Sequence, residues 1–215
     1  MPLIRKSATP AAASPPDAAK VPDAANVLEA LASGTEEERW EAARAAPGIP
    51  GAAKALADAA KRETSPGVRE AMFTALTRIA SPESVEQLVP LLRSDDAWLR
   101  TAALDSLRAM KSLVGPYVPN LLHDANSDVR LLACELAREQ PGKESAALLC
   151  ELLETEQEPN VCASAVEVLA EIGGPEALPV LARCEERFRG VSFLEFAIRI
   201  TADRIRASSS PKPRA

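Results

Sequence analysis

Apolar residues recur along this chain at a helical period, and they do so in blocks that align with one another. The segments VREAMFTALTRI (68–79), LRTAALDSLRAM (99–110) and VCASAVEVLAEI (161–172) superimpose without gaps, and VRLLACELAREQ (129–140) shares their opening but ends in polar residues. Each opens on an aliphatic residue, at Val68, Leu99, Val129 and Val161, with spacings of 31, 30 and 32. With that residue as position 0, apolar side chains return at +4, +5, +7, +8 and often +11. One block reads Val68, Met72, Phe73, Ala75, Leu76, Ile79; the next reads Leu99, Ala103, Leu104, Leu107, Met110, with Ser106 at +7. This is the one-sided stripe of an amphipathic helix, whereas a strand would alternate every second residue. Stepping forward 32 reaches Phe193, which opens FLEFAIRI, and stepping back 30 reaches Glu38 in ERWEAARAA, so the pattern predicts six copies across residues 25–206.

A second apolar segment precedes each block, as in ESVEQLVPLL (83–92), GPYVPNLL (115–122) and ESAALLCELL (144–153). Each copy is therefore two short helices joined by a tight turn, and the turns SDDA, DANSD and TEQEPN carry helix-start chemistry. All nine glycines fall at or beside these turns; inside a helix each would cost about 1 kcal/mol relative to alanine. Pro90, Pro119 and Pro179 lie within first helices, where a missing N–H predicts a kink. A helix pair of about 31 residues cannot bury its apolar face alone, and stacking builds a continuous core. The fold class is thus an all-α solenoid of six stacked two-helix repeats. The alanine-rich first copy and the polar end RITADRIRASSS suit its two caps.

Composition refines this picture. Alanine supplies 41 residues and aromatics only 3%, so the core must be aliphatic. Residues 1–24 hold five of the 18 prolines and read as a disordered arm, in which MPLIRK stands out as an apolar-basic segment; residues 207–215 read as a second loose tail. Net charge is −6, and setting aside +1 and +2 for these ends leaves −9 on the repeat body. That balance argues against a nucleic-acid partner. The start of the chain has no secretory pattern, and no apolar run approaches the roughly 18 to 20 residues of a membrane helix. A cytoplasmic protein with no membrane insertion is expected. Cys134, Cys150, Cys162 and Cys184 form no C-x-x-C pair and read as packed, reduced thiols, with Cys162 the most exposable. His123 is the single histidine and reads as a helix-end residue. No metal and no cofactor is implied. Phosphate-cradling, dinucleotide-binding, zinc-protease and nucleophile-elbow motifs are all missing from the sequence.

The pattern V-R-x-x-A-x-x-A-L, preceded by Asp or Pro, resembles HEAT-like repeats, in particular the short type of phycobilin lyases and bacterial adaptor proteins. The matching residues are Val68-Arg69, Leu99-Arg100 and Val129-Arg130, with Asp96, Asp128, Pro66 and Pro159 ahead of the second helix. Copies five and six depart from it, since Cys162 and Leu194 stand where the arginine would be. The resemblance implies a right-handed superhelix with first helices convex and second helices concave. It also implies a non-enzymatic scaffold or adaptor that binds a protein partner along the concave face. The alternative it implies is a phycobilin lyase-like or tetrapyrrole chaperone subunit. A HEAT-like DNA-repair glycosylase would need a basic groove, which a −9 body does not favour.

Three groups of residues are candidates for partner binding. Arg39, Arg69, Arg100 and Arg130 recur once per repeat, either as a row of guanidinium forks for carboxylates or phosphates or as structural partners of turn acids such as Asp96 and Asp128. Asp105, Glu135 and Glu167 share position +6, as a docking stripe for a basic segment or as a solvated face pairing locally with Arg108 and Arg138. Trp40 (+2) and Trp98 (−1) sit off the apolar stripe, as interface anchors or as covers over a turn, and Leu131 and Leu132 extend the same patch. The expected partner-binding set is Trp40, Arg69, Trp98, Arg100, Asp105, Arg130, Leu131 and Glu135.

Overall fold

The structure is a computed structural model that describes residues 23–209. Six helix pairs follow one another. They are α1 (Ala24–Ser33) with α2 (Glu36–Ala45), then α3 (Ala52–Ala60) with α4 (Pro66–Ile79). The third is α5 (Pro82–Leu88), running into a 3-10 turn at Val89–Arg93, with α6 (Ala97–Ala109). In the fourth, α7 (Lys111–Val114), a 3-10 turn at Gly115–Tyr117 and α8 (Val118–Leu122) form a broken first helix before α9 (Ser127–Arg138). The last two are α10 (Gly142–Thr155) with α11 (Pro159–Ile172), and a 3-10 turn at Pro175–Ala177 leading into α12 (Leu178–Arg187) with α13 (Ser192–Ser209). The described residues contain no strand. The expected arm falls, up to residue 22, outside the described residues, as do residues 210–215 of the expected tail; α13 itself runs on to Ser209.

First helices stack on first helices and second on second. One core runs the whole length, from Val27 and Leu31 to Ile198 and Ile205. Its large fully buried side chains are almost all leucine, including Leu56, Leu76, Leu107, Leu122, Leu149 and Leu169. Buried alanines such as Ala43, Ala57, Ala103, Ala133 and Ala165 let neighbouring helices approach closely.

Three details differ from the sequence expectation. The sixth copy is slipped by one residue: Leu194, Ile198, Ala202 and Ile205 are buried, and Phe193 is exposed. Its position 0 is Leu194, because the turn before α13 is one residue longer. The first helix of the fourth copy starts at Lys111, not Gly115, with only Met110 separating it from α6. The three prolines interrupt their helices rather than sit within unbroken ones. Each marks a switch between α and 3-10 hydrogen bonding, which accommodates the missing N–H.

The turns ahead of the second helices follow two designs. In α6 and α9 an N-cap side chain does the work: Asp96 accepts from Trp98 N–H, and Asn126 accepts from Asp128 N–H. In α4 and α11 the cap residue makes no side-chain bond, and a buried glutamate three residues before the proline substitutes. Glu63 accepts from the N–H of Thr64 and Ser65, both at 2.9 Å, and Glu156 accepts from Gln157 and Glu158, both at 2.9 Å. Each carboxylate is also held bidentately by the arginine of the preceding repeat. Arg39 meets Glu63 at 2.5 and 3.0 Å, and Arg130 meets Glu156 at 2.6 and 2.8 Å.

The Arg39 bonds, aided by those two N–H groups, bring the Glu63 carboxyl from its ordinary 4.5 down to about 2, against the opposing effect of burial. A carboxylate whose folded pKa is depressed adds stability above its unfolded pKa, and the gain is lost as pH falls toward the folded value. Glu63→Gln should therefore cost about 2 kcal/mol at pH 7. In urea titrations the gap to wild type should close between pH 4.5 and about 2. A second expectation concerns Ala80, the C-cap of α4, which has φ 45° and ψ 53°. Alanine is strained in this left-handed region and glycine is not. Ala80→Gly should raise the unfolding free energy by about 0.5 kcal/mol, after the added entropy of the unfolded chain is offset. Thermal denaturation should show a higher midpoint.

Candidate interaction surface on the second helices

Trp98 opens α6 and lies across the seam with α4. Its ring meets the edge of Phe73 with centroids 5.4 Å apart and planes at 81°, and the Arg69 guanidinium sits 5.2 Å from its centroid. The indole covers part of the core and still leaves 39% of the residue exposed. Trp40 on α2 is equally exposed, with Arg44 stacked 4.4 Å from its ring. Shallow grooves run between these helices. The α4–α6 groove, about 330 Å³, has Phe73, Trp98 and Ala102 as its floor and Glu70, Arg78 and Asp105 among its lining. The α2–α4 groove, about 310 Å³, is lined by Trp40, Arg44, Ala71, Thr74 and Arg78. Glu70, Thr74 and Arg78 border both, so the two form one surface.

Farther along the same face the acids become denser. Arg138 gathers three of them: Glu135 at 3.2 Å on its own helix, and Glu167 at 3.7 Å and Glu171 at 2.5 Å on α11. The local pairing expected for Arg138 is thus present. Arg108 differs, because it reaches past Asp105 to Glu139 of the next repeat at 3.2 Å. Asp105 is exposed and makes no ion pair among the described residues. Leu131 and Leu132 are half-buried and pack against the core.

The arginine row stitches the repeats together. Arg69, Arg100 and Arg130 each donate to the carbonyl six residues earlier, at Glu63 (2.7 Å), Ser94 (2.6 Å) and Asp124 (2.8 Å); Arg39 donates to Gly34 at 2.8 Å. Arg39, Arg69 and Arg130 also reach an acid of the following repeat, which for Arg69 is Asp96 at 3.0 Å. Arg100 has no ion pair among the described residues, because the neutral Asn126 stands where Asp96 stands one repeat earlier. In the fifth copy Cys162 takes this place, with its sulfur 3.9 Å from the Glu156 carbonyl.

Sequence reasoning missed the largest exposed apolar group. Phe193, Phe196 and Ile200 on α13 are 51%, 61% and 53% exposed. With position 0 at Leu194 they occupy −1, +2 and +6, the places of Trp98, of Trp40 and of the acidic stripe. The signal was in the sequence: a core run at 194, 198, 202 and 205 leaves these three on the opposite side.

Three of the thiols are buried, and the histidine closes a helix. Burial pushes the Cys134 thiol up to about 12 and the Cys150 thiol up to about 11; contact with Cys184 and burial raise Cys162. Cys162 is fully buried, which corrects the expectation that it is the most exposable thiol; Cys150 is the partly exposed one. A side chain at +1 points toward the neighbouring repeat, so a small residue there is enclosed. His123 ends α8, with Nδ1 at 2.8 Å from the Pro119 carbonyl. Among the described residues no cluster of His, Cys, Asp and Glu is arranged to hold a metal ion, and no helix is long and apolar enough to cross a membrane.

Several solved structures are similar to this chain. An engineered protein solved by a structural genomics consortium is 22% identical, covering 86% of this chain and 96% of its own, with a TM-score of 0.41. A designed armadillo repeat protein is 17% identical, covering 85% of this chain and 100% of its own, with a TM-score of 0.40. The CpcE–CpcF complex of phycocyanin lyase from Nostoc sp. PCC7120 is 16% identical, covering 92% of this chain and 100% of that one, with a TM-score of 0.36. Comparison with curated protein sequences gives no match. The sequence model for HEAT repeats matches residues 24–108 and 116–187, which is most of the six stacked pairs, and the chain belongs to the HEAT-repeat family.

Proposed function

We propose that this protein is a non-catalytic scaffold that binds a protein segment along the face formed by its second helices. One observation carries the reading. Every large apolar side chain left exposed among the described residues, Trp40, Trp98, Phe193, Phe196 and Ile200, lies on a second helix. A solenoid has no packing need for such residues on its open face, and aromatic side chains set in shallow grooves are the usual anchors of a protein interface. Glu70 and Asp105 line the groove with Trp98, which favours a partner segment carrying lysine or arginine beside its apolar residues. Trp40, Trp98, Asp105, Leu131 and Glu135 would touch the partner. Arg69, Arg100 and Arg130 would fix the helices that present them. A cytoplasmic location fits four free thiols, three of them buried.

The test is affinity capture followed by binding measurements on the recovered partner. Trp98→Ala and Asp105→Lys should each weaken binding by about tenfold or more. Glu86→Lys, on the exposed side of α5, should leave it unchanged. Loss of binding with Glu86→Lys but not with the other two would move the site to the first helices. Titration of the protein into a bilin should leave the visible absorbance of the pigment unshifted; a stoichiometric shift would favour the tetrapyrrole reading instead.

A further inference from the structure

We propose that two copies of this chain pair face to face, the apolar ridge of α13 in each seating in the α4–α6 groove of the other. The ridge is Phe193, Phe196 and Ile200, at successive spacings of three and four residues along one side of the last second helix, each more than half exposed. Arg199 and Arg204 flank it, and neither makes an ion pair among the described residues. The groove is its complement. Phe73, Trp98 and Ala102 form an apolar floor, Glu70 and Asp105 line it without an ion pair among the described residues, with one arginine, Arg78, beside them, and a volume of about 330 Å³ has room for a phenyl ring. A protruding apolar row with Arg199 beside it and Arg204 a turn beyond it thus meets a recessed apolar floor lined by two carboxylates and one arginine, and one chain supplies both halves.

Placement on the same face decides the symmetry. Ridge and groove lie toward opposite ends of that face, so a two-fold axis through the middle repeats satisfies both at once. The pair closes at two copies and does not propagate into a fibre. A single ridge–groove contact falls short of the roughly 800 Å² per partner of a standard interface. Two identical contacts in one dimer make up the difference, because the second forms at high effective concentration. Near the axis Arg138 partly neutralises Glu135 and Glu171. The dimer covers part of the surface assigned above to a protein partner, but it is measured on the purified chain alone, so either idea fails without the other.

Sedimentation velocity of the purified full chain tests the pairing at low and physiological salt, with circular dichroism as a control for folding. Wild type should sediment as a dimer whose dissociation constant rises with salt. Phe196→Glu, the pair Arg199→Glu with Arg204→Glu, and the pair Glu70→Lys with Asp105→Lys should each weaken dimerisation by about tenfold or more. An equimolar mixture of the two charge-reversed double variants should restore it, since both contacts then join opposite charges again. A wild type that stays monomeric at every concentration overturns the proposal. So does a Glu70→Lys/Asp105→Lys protein that dimerises as well as wild type, which would mean that α13 packs on α13.

Discussion

Two of the second helices begin on a buried carboxylate that a guanidinium of the previous repeat holds in place. Glu63 and Glu156 each accept two backbone N–H groups at the start of their helix and two more hydrogen bonds from Arg39 or Arg130. One ionised group therefore sets where the helix starts and how it is oriented to its predecessor. The desolvation of both ions is compensated because the carboxylate is saturated with donors. The leucine and alanine core supplies most of the cohesion, but apolar packing is non-directional and tolerates sliding. The polar stitch fixes the register.

That register separates residues that hold the solenoid together from residues free to recognise something else. Adjacent positions on a helix point about 100° apart. Position +1, the arginine place, faces the next repeat and is consumed internally. Positions −1, +2 and +6 face outward and carry Trp98, Trp40, Asp105, Phe196 and Ile200. An arginine row and a tryptophan pair that are neighbours in sequence thus point in different directions. Trp98 joins the two, since Asp96 caps its helix while pairing with Arg69, whose guanidinium lies over the indole.

The six-fold period, the helix pairs and most of the buried stripe were legible in the sequence because burial repeats whenever stacking repeats. What escaped it depended on distances the period does not encode. Phe193 was misplaced because a single extra turn residue shifts every later position by 100°. Arg108 was paired with the wrong acid because Glu139 is near only once α9 stacks on α6. The glutamate clamps were present in the text as E-T-S-P and E-Q-E-P, two occurrences of one phrase. They look like ordinary polar turns until the arginine a repeat away is brought beside them.

The clamps occur at two of the five junctions, between the first and second repeats and between the fourth and fifth. Acid would act on the molecule unevenly as a result. Protonating Glu63 and Glu156 cuts the clamps at those two places, while the junctions between repeats two and four carry acids of their own, Asp96 with Arg69, Asp124 with Arg93 and Glu139 with Arg108. What a descending pH takes from the two clamped places is more than a tie between neighbours: the fixed starts of α4 and α11 go with it.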